Sequence, residues 1–339
     1  MAFFELALSI SDIVSFITPD KWMSKPFGEK FRKNQMCSRL HSITRAGSKV
    51  FDSATVDAVI TLFTLCSNQL KTSQFVDKSV ISAISTECIS ELAPPYLIDF
   101  LFSQNVKLIQ KIERGKERLA DYAVCENACA TSDFYIVKEM IEEVPTPDLC
   151  LYYQLINTGT IEKYRNKWAD KEISYGGKYH FPVVNRKRFE ETLGKSYTKR
   201  AASRKIILKG LNLLDGCLDS EANIIPGKST IVICSEDLET LKFLLGFINS
   251  KLPIFYIKRK YASSSYCGGI TFTKEMINNL PLGVTSSQRQ QIITIVDQIL
   301  TKKESNPQAD TSVLETAFDQ LVYESYGLTE YEIEEISKA

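Results

Sequence analysis

Apolar residues in the first quarter of the chain recur in strand-like runs separated by polar turns. The run from Ile13 to Thr18 stops at a proline, as a buried parallel strand does. Leu40 to Arg45 and Val56 to Cys66 are two further runs, and the second is long and β-branched, which favours a central place in a sheet. With a short helix expected at Phe27 to Met36, residues 1–75 predict part of an α/β sheet.

Helical spacing dominates the next stretch, residues 76–120. Apolar residues recur there at intervals of three and four, for example at Ile98, Leu101 and Ile112, so a mostly helical connector is predicted. Its basic residues are interpreted as a solvated helix face, with phosphate contact as the functional alternative.

Short strand-like and helical patterns alternate from residue 121 to residue 285. Phe134 to Val137 predicts a short strand, and Ile206 to Leu208 and Ile231 to Cys234 predict strands joined through turns. Leu238 to Asn249 predicts a helix.

The last segment, residues 286–339, predicts helices. Its first helix runs from Gln288 to Lys302 with an isoleucine-rich face. Two more follow, and Thr329 caps the last one with Glu332 in the capping-box position.

Charge is segregated along a neutral chain of 41 basic and 41 acidic residues. Leu155 to Gly210 contains fourteen Lys/Arg and five Asp/Glu, a net charge of +9, interleaved with seven aromatic residues. Lys302 to Ala339 contains three lysines and nine acids, a net charge of −6. A basic, aromatic segment in a neutral chain indicates nucleic-acid binding, with a merely solvated surface as the ordinary alternative.

A second basic element lies within Phe243 to Gly283. An apolar run ends in Lys258-Arg259-Lys260, and small residues with embedded tyrosines follow, so a basic, hydroxyl-bearing loop is expected from Lys258 to Tyr266. The candidate DNA-binding residues are cations and hydroxyls of both basic elements: Lys163, Arg165, Lys178, Arg186, Lys187, Arg188, Lys199, Arg200, Arg204, Lys205, Lys258, Arg259, Lys260, Ser264 and Tyr266.

Several strings together resemble the C-terminal part of N6-adenine DNA methyltransferases of the TaqI and Eco57I type, including their C-terminal specificity domain. They are IVSFITPDKWMSKPFGEKFRKN near the start, KIILKG, LLGFINSKL and INNLPLG between residues 205 and 283, and the ending around Leu321 to Ile333. The resemblance implies an α/β fold in four parts. Residues 1–75 would be the last strands of a Rossmann-like catalytic sheet, 76–120 a helical connector, 121–285 an α+β target-recognition domain and 286–339 C-terminal helices.

The resemblance also implies a function in restriction-modification. The chain would be a sequence-specific module that binds double-stranded DNA and positions a target adenine for methyl transfer from S-adenosylmethionine. The alternative is a specificity or scaffold subunit that acts by protein contacts in a restriction or phage-defence complex.

The catalytic motifs of that family are absent from the sequence. It contains no Gly-rich cofactor turn, and Ala93-Pro94-Pro95-Tyr96 has alanine where the family has Asn or Asp, so it offers no side-chain acceptor for the adenine amino group. We therefore expect no catalytic, cofactor-binding or metal-binding residue in the chain and no activity alone. The catalytic methyltransferase or endonuclease polypeptide would be a partner.

Nine scattered cysteines predict reduced thiols in a cytoplasmic protein. Cys125 and Cys129 are four residues apart, but with only two histidines in the chain a zinc site is the lesser interpretation. Glu5 and Asp12 interrupt the apolar N-terminal stretch, so neither a signal peptide nor a membrane span is predicted.

Overall fold

The computed structural model describes residues 1–47, 57–67, 70–76, 79–81, 92, 94–102, 105–261, 265–266 and 269–338. They form mixed α/β structure with several sheets, which confirms the predicted fold class. The chain divides into two compact units. Unit 1 comprises Met1–Gln110 and Lys258–Tyr266, and unit 2 comprises Lys111–Ile257 and Cys267–Ala339.

Unit 1 contains a helix followed by a five-stranded sheet. The elements are α1 (Ala2–Ile10), β1 (Val14–Pro19), α2 (Glu29–Phe31), α3 (Cys37–Arg39), β2 (Leu40–Gly47), β3 (Ala58–Phe63), β4 (Lys71–Val76) and β5 (Ser79–Ile81). The strand order is β1-β3-β2-β4-β5, and β2/β4 is the parallel pair. Strand β3 pairs with a neighbour on each side, so the predicted central position is confirmed.

Strand β1 differs from its prediction. It lies at the edge of the sheet and pairs antiparallel with β3, from Val14 opposite Phe63 to Pro19 opposite Ala58. Its residues alternate between covered and exposed, because one face packs on α1 and the other does not. The prediction of a fully buried parallel strand was therefore wrong.

Aromatic rings fill the space between α1 and the sheet. The ring centroid of Phe4 lies 4.9 Å from those of both Phe16 and Phe31 and 5.6 Å from that of Phe63. Edge-to-face packing of this kind adds to the free energy of burial. This cluster fixes α1 on one face of the sheet.

The described residues of the predicted helical connector, 76–120, include strands and turns as well as helix. Part of it belongs to β4 and β5, Asp99–Phe102 forms a 3₁₀ turn, and α4 (Val106–Glu113) is its α-helix within the described residues. Strand β6 (Glu117–Arg118) follows. Of the tetrapeptide that resembles the catalytic motif, Ala93 lies outside the described residues, and the Pro95 carbonyl accepts a hydrogen bond from buried Arg32 at 2.8 Å.

Unit 2 is built on two four-stranded sheets. Their strands are β7 (Cys125–Asn127), β8 (Ile141–Glu143), β9 (Tyr152–Ile156), β14 (Pro182–Asn185), β15 (Lys205–Lys209), β16 (Gly216–Asp219), β17 (Ile224–Pro226) and β18 (Thr230–Cys234). One sheet has the order β17-β9-β14-β8 and the other β16-β15-β18-β7. Two hairpins, β10 (Ile161–Glu162) with β11 (Arg165–Asn166) and β12 (Ile173–Ser174) with β13 (Lys178–Tyr179), project from them.

Short helices connect these strands. They are α5 (Thr131–Lys138), α6 (Arg186–Thr192), α7 (Lys195–Ala201) and α8 (Leu238–Asn249). Helix α8 has the predicted bounds, as do the cores of β15 and β18. The strand predicted at Phe134 to Val137 was wrong, because these residues form the middle of α5.

The remaining elements complete the C-terminal part. They are α9 (Lys251–Lys260), β19 (Ser265–Tyr266), β20 (Gly269–Ile270), α10 (Lys274–Asn278), β21 (Pro281–Leu282), α11 (Ser286–Ser305), α12 (Ser312–Ser325) and α13 (Glu330–Ser337). The three predicted C-terminal helices are confirmed. Thr329 caps α13, with its hydroxyl accepting from Glu332 N and the Glu332 carboxylate accepting from Thr329 N at 2.8 Å.

Candidate nucleic-acid interface

Helices α6 and α7 of unit 2 separate apolar from basic side chains. Phe189 of α6, Leu193 between the helices, and Tyr197 and Ala201 of α7 are all buried in one core cluster. Tyr197 and Ala201 are four residues apart and share one side of α7, so the other side of α7 faces solvent. Asn185 starts the pair, with its side-chain oxygen accepting from Arg188 N at 3.1 Å.

Basic residues occupy the solvent side. Lys187, Arg188, Lys195, Lys199 and Arg204 are all exposed. Lys187 lies 3.9 Å from Glu191, and Arg188 donates to the Glu139 carbonyl at 3.4 Å. Within the described part of the chain, the side chains of Lys199 and Arg204 contact no acid, so they are available to an anionic ligand. We refer to Lys195, Lys199, Arg200 and Arg204 as the α7 surface.

Arg200 holds the α7 surface to the neighbouring sheet. Its Nε donates to the Ala128 carbonyl at 3.0 Å and its Nη1 to Ser196 Oγ at 2.6 Å. Glu126 lies 4.0 Å away. Only 13% of the Arg200 side chain is exposed, and its hydrogen bonds hold it in place. It therefore adds positive potential to the surface without reaching out to a ligand.

The other anchor of α7 is Tyr197. Its hydroxyl donates to the Pro226 carbonyl at 2.9 Å, at the end of β17. Two residues further on, Lys228 is exposed, with its Nζ 5.6 Å from the centroid of the Phe134 ring. Lys228 was not among the predicted contacts, because it lies outside the segment of high charge. The Pro226-Gly227 turn before it is the sequence feature that could have indicated an exposed lysine there.

A thiol and a phenol beneath α7 remain neutral near neutral pH. Burial raises the pKa of the Cys129 thiol to about 11. Burial also raises the pKa of Tyr197 well above its usual value. Neither group therefore adds an anion under the α7 surface.

Arg186 has a structural role. Its guanidinium stacks 3.9 Å from the centroid of the Tyr153 ring. It also donates to the Leu149 carbonyl at 2.8 Å and to the side-chain oxygen of Asn223. These contacts tie the start of α6 to the strands rather than presenting the side chain to solvent.

The cations of the β10–β11 hairpin face acids. Arg165 pairs with Asp170 and lies 4.0 Å from Glu162. Lys163 lies 3.9 Å from Glu315. Their charge is compensated locally, which weakens the attraction of this hairpin for phosphate.

Lys178 in the second hairpin lies 3.3 Å from Glu172 and remains 78% exposed. An exposed pair of this kind is weak and readily exchanged for another anion.

Lys205 is removed from solvent altogether. It is fully buried, and its Nζ donates to Asp219 at 2.5 Å and to the carbonyls of Ala201 and Ser203 at 2.8 and 3.0 Å. Burial lowers the pKa of Lys205, and Asp219 opposes that shift. Its placement among the DNA contacts was wrong, because in β15 its side chain points into the core.

The cations of the second basic element belong to unit 1. Lys258, Arg259 and Lys260 form the last turn of α9, so the loop predicted to start at Lys258 was wrong at that end. Lys260 is 6% exposed, with its Nζ 3.7 Å from the centroid of the Phe100 ring, which excludes it from a solvent-facing surface. Ser264 lies outside the described residues, and of Tyr266 the backbone in β19 is described.

The described residues contain no group of three or more side chains that could hold a metal ion. None of their helices combines the length and the hydropathy that crossing a bilayer requires.

Comparison with solved structures places the fold beside restriction-modification enzymes. The chain is similar to the Type IIL restriction-modification enzyme MmeI, whose structure was solved in complex with DNA, with a TM-score of 0.50 and 10% identity over 96% of this chain and 48% of that chain. It is also similar to the type IIG restriction endonuclease BpuSI, with a TM-score of 0.39 and 12% identity over 96% of this chain and 49% of that chain. The likeness to MmeI is a likeness of fold. The BpuSI match has a TM-score too low to support a conclusion.

The chain spans about half the length of the solved structures that it matches. No protein-family model matches the sequence. No curated protein matches it either.

Proposed function

We propose that the chain is a sequence-specific DNA-recognition module of a restriction-modification enzyme. It binds duplex DNA through the α7 surface of unit 2. It positions a target adenine for methylation at N6 by an S-adenosylmethionine-dependent catalytic part, which would supply the Asn/Asp-Pro-Pro-Tyr/Phe motif that these 339 residues do not contain.

The observation that carries the proposal is the solvent side of α6 and α7. Among the described residues, Lys199 and Arg204 contact no acid, so in a chain whose total charge is zero they concentrate positive potential at α7. Lysines and arginines on a helix suit phosphate contact, and an arginine can also fork onto guanine O6 and N7. The resemblance to adenine methyltransferases and the fold likeness to MmeI support the same function.

The exposure of each side chain decides which of the predicted residues remain proposed DNA contacts. Lys178, Lys187, Arg188, Lys199 and Arg204 remain proposed DNA contacts, and Lys195 and Lys228 join them. Arg165, Arg186 and Arg200 act by holding local structure, and Lys163 contributes weaker positive potential. Because Lys205 and Lys260 are buried, they are not part of the surface.

Charge reversal tests the surface. The double variant Lys199→Glu, Arg204→Glu should weaken binding to a fluorescent duplex and reduce the slope of log affinity against log salt by about 2, one for each lost phosphate contact. Lys30→Glu with Lys302→Glu is the matched control, since both lysines are exposed and the charge change is the same. Equal effects of the two doubles would place the DNA contact elsewhere.

Selection from a randomised duplex library tests sequence recognition. A recognition module enriches a common motif that contains an adenine. A scaffold subunit that acts by protein contacts enriches no motif and binds duplex DNA weakly without its partner. The same selection therefore separates the two functional classes.

A further inference from the structure

Two exposed leucines project from a short turn between β15 and β16 in unit 2. Leu211 and Leu213 are 43% and 57% exposed, and Asn212 between them has a positive φ of 65°. The Leu213 amide donates to the Leu211 carbonyl at 2.8 Å, which gives a γ-turn in its rarer, strained form. We refer to residues 211–213 as the leucine turn. Turns ordinarily carry polar residues, and strained backbone clusters at functional sites, so this turn is a candidate for contact with a ligand.

The neighbouring chain holds the leucine turn in place from two sides. On one side, Asn212 N donates to the Ile270 carbonyl at 2.8 Å. On the other side, Gly210 N donates to the Ser229 carbonyl at 3.1 Å. A methyl group on Gly210 would lie 2.5 Å from that same oxygen, so the close approach of the two backbones requires glycine. The backbone of the turn is therefore fixed, while its two leucine side chains extend into solvent.

A β-turn at residues 227–230 connects the leucine turn with the α7 surface. A backbone hydrogen bond of 3.1 Å joins its first and last residues. Ser229 in this turn contacts the leucine turn, and Pro226 directly before it accepts the hydrogen bond from Tyr197 of α7 at 2.9 Å. Exposed Lys228 lies between these two contacts. Because the ends of a β-turn are less than about 7 Å apart, the leucine turn, Lys228 and α7 occupy adjacent parts of unit 2.

The charges next to the leucine turn suit a polyanion. Lys209 and Asp215, which flank the turn, pair with each other at 2.6 Å and so add no net charge. The other charges that the contacts above bring beside it are Lys228 and the cations of the α7 surface. Apolar side chains such as leucine, placed beside cations that hold phosphates, act in DNA-binding proteins as wedges between base pairs.

The shape of the leucine turn favours DNA over a protein partner. A stable protein interface covers a broad surface, on the order of 800 Å² for each partner. Two leucines on a three-residue turn present a narrow apolar edge instead, and such an edge fits between stacked base pairs.

We propose that the leucine turn is a wedge that inserts between two base pairs of the recognised sequence and partially unstacks them. The inference rests on the proposed function, because Lys228 and the α7 surface hold the phosphates of the DNA on which the wedge acts. Unstacking lowers the remaining cost of extruding a nucleotide from the duplex. Leu211 and Leu213 are thus positioning residues, which prepare the target adenine for flipping without contacting the reacting atoms.

Fluorescence of 2-aminopurine, which rises when the base loses its stacking neighbours, tests the wedge. The probes are duplexes that carry the motif enriched by the selection experiment, each with one 2-aminopurine within or beside the motif. At saturating protein, the unchanged chain should raise the fluorescence several-fold at one base step. Leu211→Ala with Leu213→Ala should lose that rise. The same double variant should weaken binding about tenfold, because the lost burial of two side chains exceeds the unstacking cost that is saved.

Val124→Ala with Val313→Ala is the matched control. Both valines are exposed in unit 2, at 58% and 79%, so this double variant should leave the affinity and the fluorescence rise unchanged. Urea denaturation should show both double variants to be about as stable as the unchanged chain, because all four side chains are exposed. Loss of the wedge is thereby separated from loss of the fold.

The outcomes for the wedge and for the proposed function are distinguishable. Duplex binding by the unchanged chain without a fluorescence rise at any step would reject the wedge and leave DNA recognition standing. A rise that persists in Leu211→Ala with Leu213→Ala would do the same, and the leucine turn would then be assigned to a protein partner. Absence of duplex binding, or of an enriched motif, would reject the DNA-recognition function together with the wedge.

Discussion

Lys199 and Lys205 are six residues apart and have opposite environments. Lys199 extends into solvent from α7, whereas Lys205 is enclosed with Asp219 in the core of unit 2. A buried lysine loses its hydration, and its charge persists because Asp219 and two carbonyl oxygens surround it. The first lysine is suited to a ligand and the second to the stability of the fold.

Replacing Lys205 should therefore reduce stability without affecting recognition. Lys205→Met leaves the Asp219 carboxylate buried, although the amides of Asn223 and Ile224 still donate to it, both at 3.0 Å. We expect a loss of about 3–5 kcal/mol in the free energy of unfolding by urea denaturation. DNA affinity per folded molecule should not change.

Lys209→Met is the matched control for that experiment. The Lys209–Asp215 pair has a similar distance, 2.6 Å, but its side chains are 15% and 12% exposed rather than 0% and 3%. Its removal should cost about 1 kcal/mol. Equal losses of unfolding free energy in the two variants would show that the burial of the Lys205–Asp219 pair does not determine its contribution to stability.

Thiol environments give a second test at the residue scale. Cys66 and Cys150 are exposed, whereas Cys125, Cys129 and Cys217 are buried. Burial raises the pKa of the Cys129 thiol to about 11 and that of Cys217 to about 12, so neither forms appreciable thiolate at pH 8. We expect iodoacetamide to modify Cys66 and Cys150 first, as measured by peptide mass mapping. Rapid alkylation of Cys217 in the native protein would contradict this assignment.

At the scale of elements, helix packing in the C-terminal part of unit 2 depends on Gly246. A methyl group there would lie 2.5 Å from the Phe318 ring and 2.7 Å from Val296 Cγ2, so α8 approaches α11 and α12 as closely as a glycine allows. Helix propensity favours alanine over glycine by about 1 kcal/mol. Overpacking a well-filled core costs about 1–3 kcal/mol.

We expect the packing cost to exceed the gain in propensity. Gly246→Ala should lower the free energy of unfolding by about 1 kcal/mol, as measured by urea denaturation. Gly159→Ala is the control, because no atom lies within 4 Å of the added methyl group, and it should be neutral or stabilising by about 0.5 kcal/mol. A more stable Gly246→Ala protein would mean that α8, α11 and α12 can move apart to accommodate the methyl group without losing stability.

Elements with a continuous apolar pattern could be predicted from the sequence, and the short helix α5 could not. Helix α8 has a continuous apolar pattern and the cap Asp237, whose carboxylate accepts from Glu239 N, and its bounds were predicted correctly. Phe134 to Val137 has β-forming residues but lies in α5, where the Asp133 carboxylate accepts from Ala130 N at 3.0 Å and stabilises the first turn. Local propensity was overridden there by the cap and by tertiary packing.

The candidate site was predicted in part for a similar reason. Charge density identifies the basic segment from the sequence, because it depends on composition alone. The burial of Lys205 depends on Asp219, fourteen residues away and directly opposite in the β15–β16 pair. The compensation of Lys163 depends on Glu315, in a helix of the acidic C-terminal segment. These partners are distant in sequence and meet only in the folded protein, so the sequence alone does not pair them.

At the scale of the whole molecule, the missing catalytic motif has a direct consequence. The purified chain should transfer no methyl group from tritiated S-adenosylmethionine to plasmid DNA, because no side chain at the Ala93 position can accept from an adenine amino group. Robust incorporation by the chain alone would contradict the proposed division of labour. Addition of the catalytic polypeptide should restore transfer.

The separation of buried from exposed positions in and between α6 and α7 also affects how this protein can change. Phe189, Leu193, Tyr197 and Ala201 hold the fold, while Arg188, Lys195, Lys199 and Arg204 belong to a separate set of positions. Mutations in the second set alter what the helices contact without opening a cavity in the first. A combinatorial library limited to those four outward positions should yield mostly folded members, and so offers an evolutionary route to new target sites at little cost in stability.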